Sequence, residues 1–142
     1  MTVETLICRA DAVVEAGKGI RFAVCAGGED AIGFVVRHQG KLYAYLNRCA
    51  HVPIELDWEQ GDFFESSKLY IMCSTHGAIY TPSNGQCVGG PCRGGRLRQI
   101  SIIEKDEQVY WLADQYFTPR KPSAVPPTPT PTQAKNNPLT EN

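Results

Sequence analysis

The 142-residue sequence has almost no net charge, only three histidines, two methionines and two tryptophans, and no long apolar run. A formal charge of −1 gives no bulk attraction to nucleic acid or to an anionic membrane surface, so neither partner is expected. No stretch approaches the roughly 18 consecutive apolar residues of a transmembrane helix, so no membrane anchor is expected either. The segment Met1–Arg9 has no basic region leading into an apolar run, as a secretory signal would. A cytoplasmic location follows as the default expectation. There, six cysteines are better read as reduced thiols or metal ligands than as a disulfide framework.

Helical periodicity is also missing: nothing longer than two turns repeats at a helical spacing. Short strand patterns are present instead. Leu6–Cys8 and Ala12–Glu15 have β-like patterning, and Ile20–Cys25 alternates apolar with polar or small residues. Ile32–Arg37 and Leu42–Leu46 flank a hairpin tip at His38-Gln39-Gly40-Lys41. Leu69–Met72 and Ala78–Tyr80 are short apolar strands, and Thr81-Pro82-Ser83-Asn84-Gly85 is a turn. Gly89-Gly90-Pro91-Cys92-Arg93-Gly94-Gly95 is too glycine-rich for helix or strand. Leu97–Ile103 and Val109–Leu112 make a closing hairpin around Lys105–Gln108. The reading is an all-β chain of many short strands, a small antiparallel sandwich or barrel.

Ten prolines are present, and seven of them fall in residues 118–142, including Thr128-Pro129-Thr130-Pro131-Thr132. A segment so poor in apolar residues favours polyproline II or disorder. One domain over residues 1–117 and a Pro-rich, solvated tail over 118–142 are therefore expected. The tail carries Arg120, Lys121 and Lys135 against Glu141, which leaves the rest of the chain mildly acidic at −3.

The chemistry lies in two short motifs, Cys49-Ala50-His51 and Cys73-Ser74-Thr75-His76. Each follows an apolar strand, and each offers one sulfur and one imidazole. Residues two apart in an extended loop project in the same general direction, so one motif can serve neighbouring metal ions. Gly77 gives the second loop conformational freedom at its tight turn. Two Cys and two His also suit tetrahedral zinc, although zinc fingers group the cysteines first whereas here the two types alternate. Without a metal, the cysteines would be buried small hydrophobes and the histidines surface residues.

The stretch 47–95 resembles a Rieske [2Fe–2S] domain. The resemblance rests on Cys49-x-His51, Cys73-x-x-His76-Gly77, the Gly85 turn and Gly90-Pro91. It implies antiparallel β structure with a small cluster-binding subdomain inserted in a larger sheet. One [2Fe–2S] cluster per chain would be held by Cys49 and Cys73 on the inner iron and His51 and His76 on the outer. Gly89-Gly90-Pro91 would be a third loop, excluding water and offering N–H groups to the sulfurs.

High-potential members of the family carry an extra cysteine in each ligand loop, absent here. They also place Ser and Tyr two and four positions after the second histidine, where this chain has Ala78 and Tyr80. One hydroxyl donor is thus missing, and the expected potential is low in the Rieske range, about −150 mV rather than +300 mV. The resemblance implies a soluble ferredoxin type, an electron carrier rather than an enzyme. It would work between a flavin- or nicotinamide-linked reductase and a terminal oxygenase or other oxidoreductase. A small Rieske-like subunit of a larger enzyme such as nitrite reductase is the second reading, and a non-redox zinc-bound interaction module the third. Only His38 is left once the ligands are assigned, too few for the two-His-one-carboxylate iron of a ring-hydroxylating oxygenase.

The remaining residues attract blander expectations. Cys87 and Cys92 bracket the third loop and are expected to be packing thiols rather than a disulfide. Cys8 and Cys25 are expected in the core, and His38 in solvent at its hairpin tip. The acidic run Glu55–Glu65, with Asp57, Glu59 and Asp62, reads as a solvated face that could steer a basic reductase. Trp58, Phe63 and Phe64 would anchor it to the body. Arg93, Arg96 and Arg98 form a basic group able to pair with it.

Overall fold

The computed structural model describes residues 3–50, 54–57, 59–92 and 94–120. Its strands are β1 (Glu4–Arg9), β2 (Ile20–Ala26), β3 (Glu29–His38), β4 (Lys41–Leu46), β5 (Ile71–Met72), β6 (Ile79–Tyr80), β7 (Cys87–Gly89), β8 (Ile102–Lys105), β9 (Gln108–Leu112) and β10 (Phe117–Thr118). Short 3₁₀ turns at Ala10–Ala12 and Gly90–Cys92 are the helical pieces among the described residues. Three antiparallel sheets result, in the orders β1-β9-β8, β10-β2-β3-β4 and β5-β6-β7. The third is inserted between β4 and β8, which is the small subdomain the sequence implies.

The four-stranded sheet is buried on both faces along β3, and the pleat sorts its side chains. Phe34 and Val36 join Tyr45 of β4 in the core shared with the inserted subdomain. Val35, with Ala44 and Leu46 of β4, enters the other core with Val24, Ile100, Trp111 and Phe117. The period of two along a strand therefore distributes one apolar run between two cores. The β3–β4 register runs from Gly33↔Leu46 to His38↔Lys41 and closes on Gln39–Gly40, both with positive φ. This two-residue turn matches the right-handed twist of its strands.

Several elements differ from the sequence reading. Ala12–Glu15 is no strand; Glu15 alone bridges Arg37, and its carboxylate accepts the N–H groups of Gln39 and Gly40 at 2.6 and 2.8 Å. Strand β7 ends on the first residue of the glycine-rich stretch, where Gly89 pairs with Ile79 and Cys87 with Tyr80, and Gly90–Cys92 then makes a 3₁₀ turn. Neighbouring strands supply the order that glycine propensity withholds. Residues 97–101 lie outside strand β8; they join β4 at an isolated bridge, Tyr45↔Gln99, while Leu97 and Ile100 pack into the two cores. Cys8 and Cys25 are half-buried at the edge of the core rather than inside it. His38 is half-buried and stacks on Phe64, with ring centroids 5.9 Å apart.

Candidate metal centre

The two ligand loops leave rigid strands and are fastened by backbone hydrogen bonds. In the first, β4 runs into Asn47-Arg48 and the Cys49 N–H donates to the Ile54 carbonyl at 2.8 Å. In the second, β5 runs into Cys73, whose N–H donates to Ala78 at 2.8 Å while Gly77 N–H returns to the Cys73 carbonyl at 2.9 Å. Ser74 N–H donates to Leu56 O at 2.9 Å, joining the second loop to the segment that follows the first.

This brings the Cys49 and Cys73 side chains together at the bottom of the subdomain, 3% and 0% exposed. The two sulfurs are hydrogen-bond neighbours, and the N–H groups of Thr75 and His76 point at the Cys73 sulfur. Burial pushes the Cys73 thiol up and the adjacent Cys49 adds to this, while the two N–H groups oppose it. A coordinated metal reverses that balance, since its charge deprotonates a ligating thiol. Two buried sulfurs with amide donors already aimed at one of them form a donor set suited to iron in a cluster. His76 lies exposed at the end of the same turn. His51 falls outside the described residues, as do Val52, Pro53, Trp58 and Arg93.

Tyr80 reaches across from β6 to the first loop. Its Oη accepts the Ala50 N–H at 2.9 Å and lies 3.3 Å from Cys49 Sγ. Hydroxyl and thiol can each donate in that contact, but a Cys49 thiolate bound to metal can only accept, and the hydroxyl is then the donor. Burial raises the phenol's pKa far above its ordinary value, and the hydrogen bond to Cys49 adds to this, so it stays a donor.

The third loop covers these two. Gly90, at φ +78°, lies so close to the second loop that a β-carbon there would meet Gly77 O at 2.7 Å and Ala78 Cα at 2.9 Å. At Gly95 a β-carbon would meet Ala50 Cβ of the first loop at 2.9 Å. Cys87 and Cys92 are joined as a disulfide across this loop, not kept as packing thiols. The β7 pairing and the 3₁₀ turn fold the intervening residues back, which brings the two α-carbons within 5.7 Å, a bridgeable distance.

Beneath the site lies a polar network that the sequence reading missed. Arg21 Nη1 donates to both Asp57 oxygens at 3.0 Å and to Glu55 at 3.1 Å. Asp57, its side chain fully buried, also accepts from Asn47 Nδ2 at 2.8 Å and Gly61 N–H at 2.9 Å. Asn47 Oδ1 accepts Leu56 N–H at 2.8 Å. Asp57 is thus a structural anion satisfied by three donors through four hydrogen bonds, not part of a solvated acidic face. Glu65 turns back on its own loop, accepting the N–H groups of Ser67, Leu69 and Tyr70. The basic counterpart of the insertion is Arg21 of β2, whereas Arg96 donates to Asn84 O and Arg98 stacks 3.6 Å over Tyr116. One signal was available: Asp57 stands between Leu56 and Trp58, an acid flanked by large apolar residues. Phe63 does anchor the insertion, stacked on Phe34 at 3.9 Å.

A family model described as Rieske [2Fe-2S] domain matches residues 4–111. The chain belongs to the Rieske [2Fe–2S] domain family. Rieske domains bind a [2Fe–2S] cluster, so iron in that form is the metal the family brings to this chain. In structure the chain is similar to the ferredoxin of carbazole 1,9a-dioxygenase from Nocardioides aromaticivorans IC177, at TM-score 0.61 and 20% identity, covering 83% of this chain and 99% of that one. It is similar to the Sphingomonas yanoikuyae B1 ferredoxin at TM-score 0.61 and 19% identity, over 79% and 100% of the two chains. Apo dicamba monooxygenase matches at TM-score 0.55 and 18% identity, over 92% of this chain and 37% of that one. At these identities the likeness is one of fold. No curated protein matches the sequence.

Proposed function

We propose that this Rieske domain is a one-electron carrier of the ferredoxin type, with Cys49, His51, Cys73 and His76 as the cluster ligands. The observation that carries the proposal is the pair of buried, adjacent sulfurs of Cys49 and Cys73, with His76 exposed on the second turn. A [2Fe–2S] cluster held there would accept and release one electron. The protein's own part is to exclude water, to aim the Tyr80 hydroxyl and the Thr75 and His76 amides at the sulfurs, and to keep an imidazole at the surface.

The partner class follows from the same reading. One ferredoxin that the chain resembles over nearly its whole length is that of carbazole 1,9a-dioxygenase, and another neighbour is a complex of reduced oxygenase with oxidised ferredoxin in the same dioxygenase. A reductase would supply the electron and a terminal oxygenase or similar oxidoreductase would receive it, with no substrate transformed on this chain. The domain over 1–117, the separate tail over 118–142 and a cytoplasmic location belong to the same proposal. Arg120 extends the folded contacts slightly, donating to Val24 O at 3.2 Å and Ala31 O at 2.8 Å. No described helix is long and apolar enough to cross a membrane.

Iron and acid-labile sulfide analysis of anaerobically purified protein, with EPR after dithionite reduction, tests the proposal. Equal amounts of iron and sulfide, and a rhombic signal averaging below the free-electron value, are expected. One zinc per chain and no signal would overturn it.

A further inference from the structure

The Cys87–Cys92 disulfide is unused by any of the chemistry above, and its position gives it a role. It closes the third loop across Val88–Pro91, the segment whose Gly90 rests on the second ligand loop. The two sulfurs differ in access. Cys92 is 3% exposed and packs in the core with Cys49, Cys73 and Tyr80, whereas Cys87 is half-buried. Cys87 also lines a surface cavity of about 250 Å³ with Val88, Gly89 and Gly90, and Val88 is 54% exposed. Cys87 is thus the more accessible half of the bond, beside a partly apolar surface cavity, and Cys92 is packed in the core that holds Cys49 and Cys73.

We infer that Cys87–Cys92 is a second, two-electron redox site, a thiol–disulfide exchange site for a dithiol reductant that unfastens the cover of the metal centre. A thiolate of the reductant attacks Cys87 Sγ and breaks the S–S bond. Cys92 leaves as a thiolate and takes up a proton. The reductant's second thiol then displaces Cys87 from the mixed disulfide, so two electrons and two protons pass from the dithiol to the chain. In a reducing compartment a disulfide of this kind is transient and regulatory rather than a permanent staple. Once reduced, the loop keeps the Cys87 N–H bond to Gly95 O and the pairing of β6 with β7, but the cross-link over Gly90 is gone. The inference rests on the Rieske reading for what the loop covers, and not for the exchange chemistry itself.

The test has arms that do not depend on iron. Denatured, iron-stripped protein purified without reductant should show four reactive thiols, from Cys8, Cys25, Cys49 and Cys73, and six after reduction. Six at the outset would overturn the inference. A reduced thioredoxin should open the bond in the folded, iron-loaded protein, whereas a bond resistant to it until denaturation would refute the accessible site. Amide exchange at 89–95 should accelerate by about tenfold or more on reduction, and visible absorbance should decay faster in air. The Cys87→Ser, Cys92→Ser double variant should match reduced wild type and ignore the reductant. Unchanged exchange in reduced wild type would overturn the uncoupling of the cover even if the variant failed to fold. Iron content measured beforehand separates these outcomes from failure of the electron-carrier proposal.

Discussion

Replacing Gly90 by alanine tests whether the third loop is pressed onto the second. Two costs add at this position. The backbone is left-handed, at φ +78°, which costs an L-residue about 1–2 kcal/mol. The new methyl would also sit 2.7 Å from Gly77 O and 2.9 Å from Ala78 Cα, both main-chain atoms that cannot rotate aside. Overpacking of that kind costs about 1–3 kcal/mol, for a total of about 2–5 kcal/mol. Gly94 supplies the control in the same loop. Its φ is +81° but nothing lies within 4 Å of the added carbon, so Gly94→Ala should cost only the backbone part, about 1–2 kcal/mol. Urea unfolding of the two variants, followed by fluorescence, isolates the contact as their difference. At about 1–3 kcal/mol per molar urea, that difference moves the midpoint by roughly 1 M. Visible absorbance should fade faster in Gly90→Ala than in Gly94→Ala. Equal midpoints for the two variants would refute the packing of loop on loop.

Three further outcomes follow from named contacts. Asp57→Ala removes the acceptor of Arg21, Asn47 and Gly61 and leaves a guanidinium only 19% exposed with Glu55 alone. Stability should fall by about 3–5 kcal/mol, and a urea midpoint within error of wild type would contradict the network. Tyr80→Phe deletes the hydroxyl donor to Cys49 Sγ, a hydrogen bond that strengthens as the centre gains an electron. A loss of about 1 kcal/mol for the reduced state lowers the midpoint potential by about 40 mV, and spectroelectrochemistry showing a rise would refute the direction. The N–H groups of Gly40 and then Gln39 hold the Glu15 carboxyl below the ordinary carboxylate range. Its contribution is present above the unfolded pKa and is lost as pH falls through the lower folded value, so the stability gap between wild type and Glu15→Gln should close on acidification. A carboxyl-carbon NMR titration of Glu15 at an ordinary or raised midpoint would count against the brace.

The parts of the fold visible in the sequence are those where pattern and packing agree. Ile20–Cys25 alternates because β2 sends Ile20, Phe22 and Val24 to one core, whereas Ile32–Arg37 and Leu42–Leu46 are nearly continuous in apolar residues because β3 and β4 present successive residues to opposite cores. The ligand loops were visible because Cys and His at these spacings have few other uses. The contents of the third loop were hidden for a physical reason. Seven residues from Gly89 to Gly95 have almost no intrinsic preference, so β6 and the turn at Gly90–Cys92 decide their path, and only that path brings Cys87 to Cys92. The Arg21–Asp57 pair was hidden for another. The partners are 36 residues apart, and nothing local distinguishes a buried acid awaiting an arginine from its solvated neighbours Glu59 and Asp62. Burial was the missing information.

These contacts also explain how a subdomain with only seven described strand residues in β5, β6 and β7 combined with 3₁₀ and turn structure can hold a fixed geometry. Its strands are two or three residues long, too short to be stable as an isolated sheet. Rigidity comes instead from crossing ties. Tyr80 stands after the second ligand loop but bonds Ala50 and Cys49 in the first. Ser74 of the second loop bonds Leu56, whose own N–H is held by Asn47 at the entrance to the first. Gly90 and Gly95 of the third loop press on the second and first respectively. Each loop therefore depends on the other two, and a change in one must be felt at sulfurs carried by another. Tyr80→Phe and Gly90→Ala act on different loops yet meet at this shared geometry, so their effects on the decay of visible absorbance should combine non-additively, as contacts in one network do. Strictly additive effects would mean that the three loops hold their positions independently.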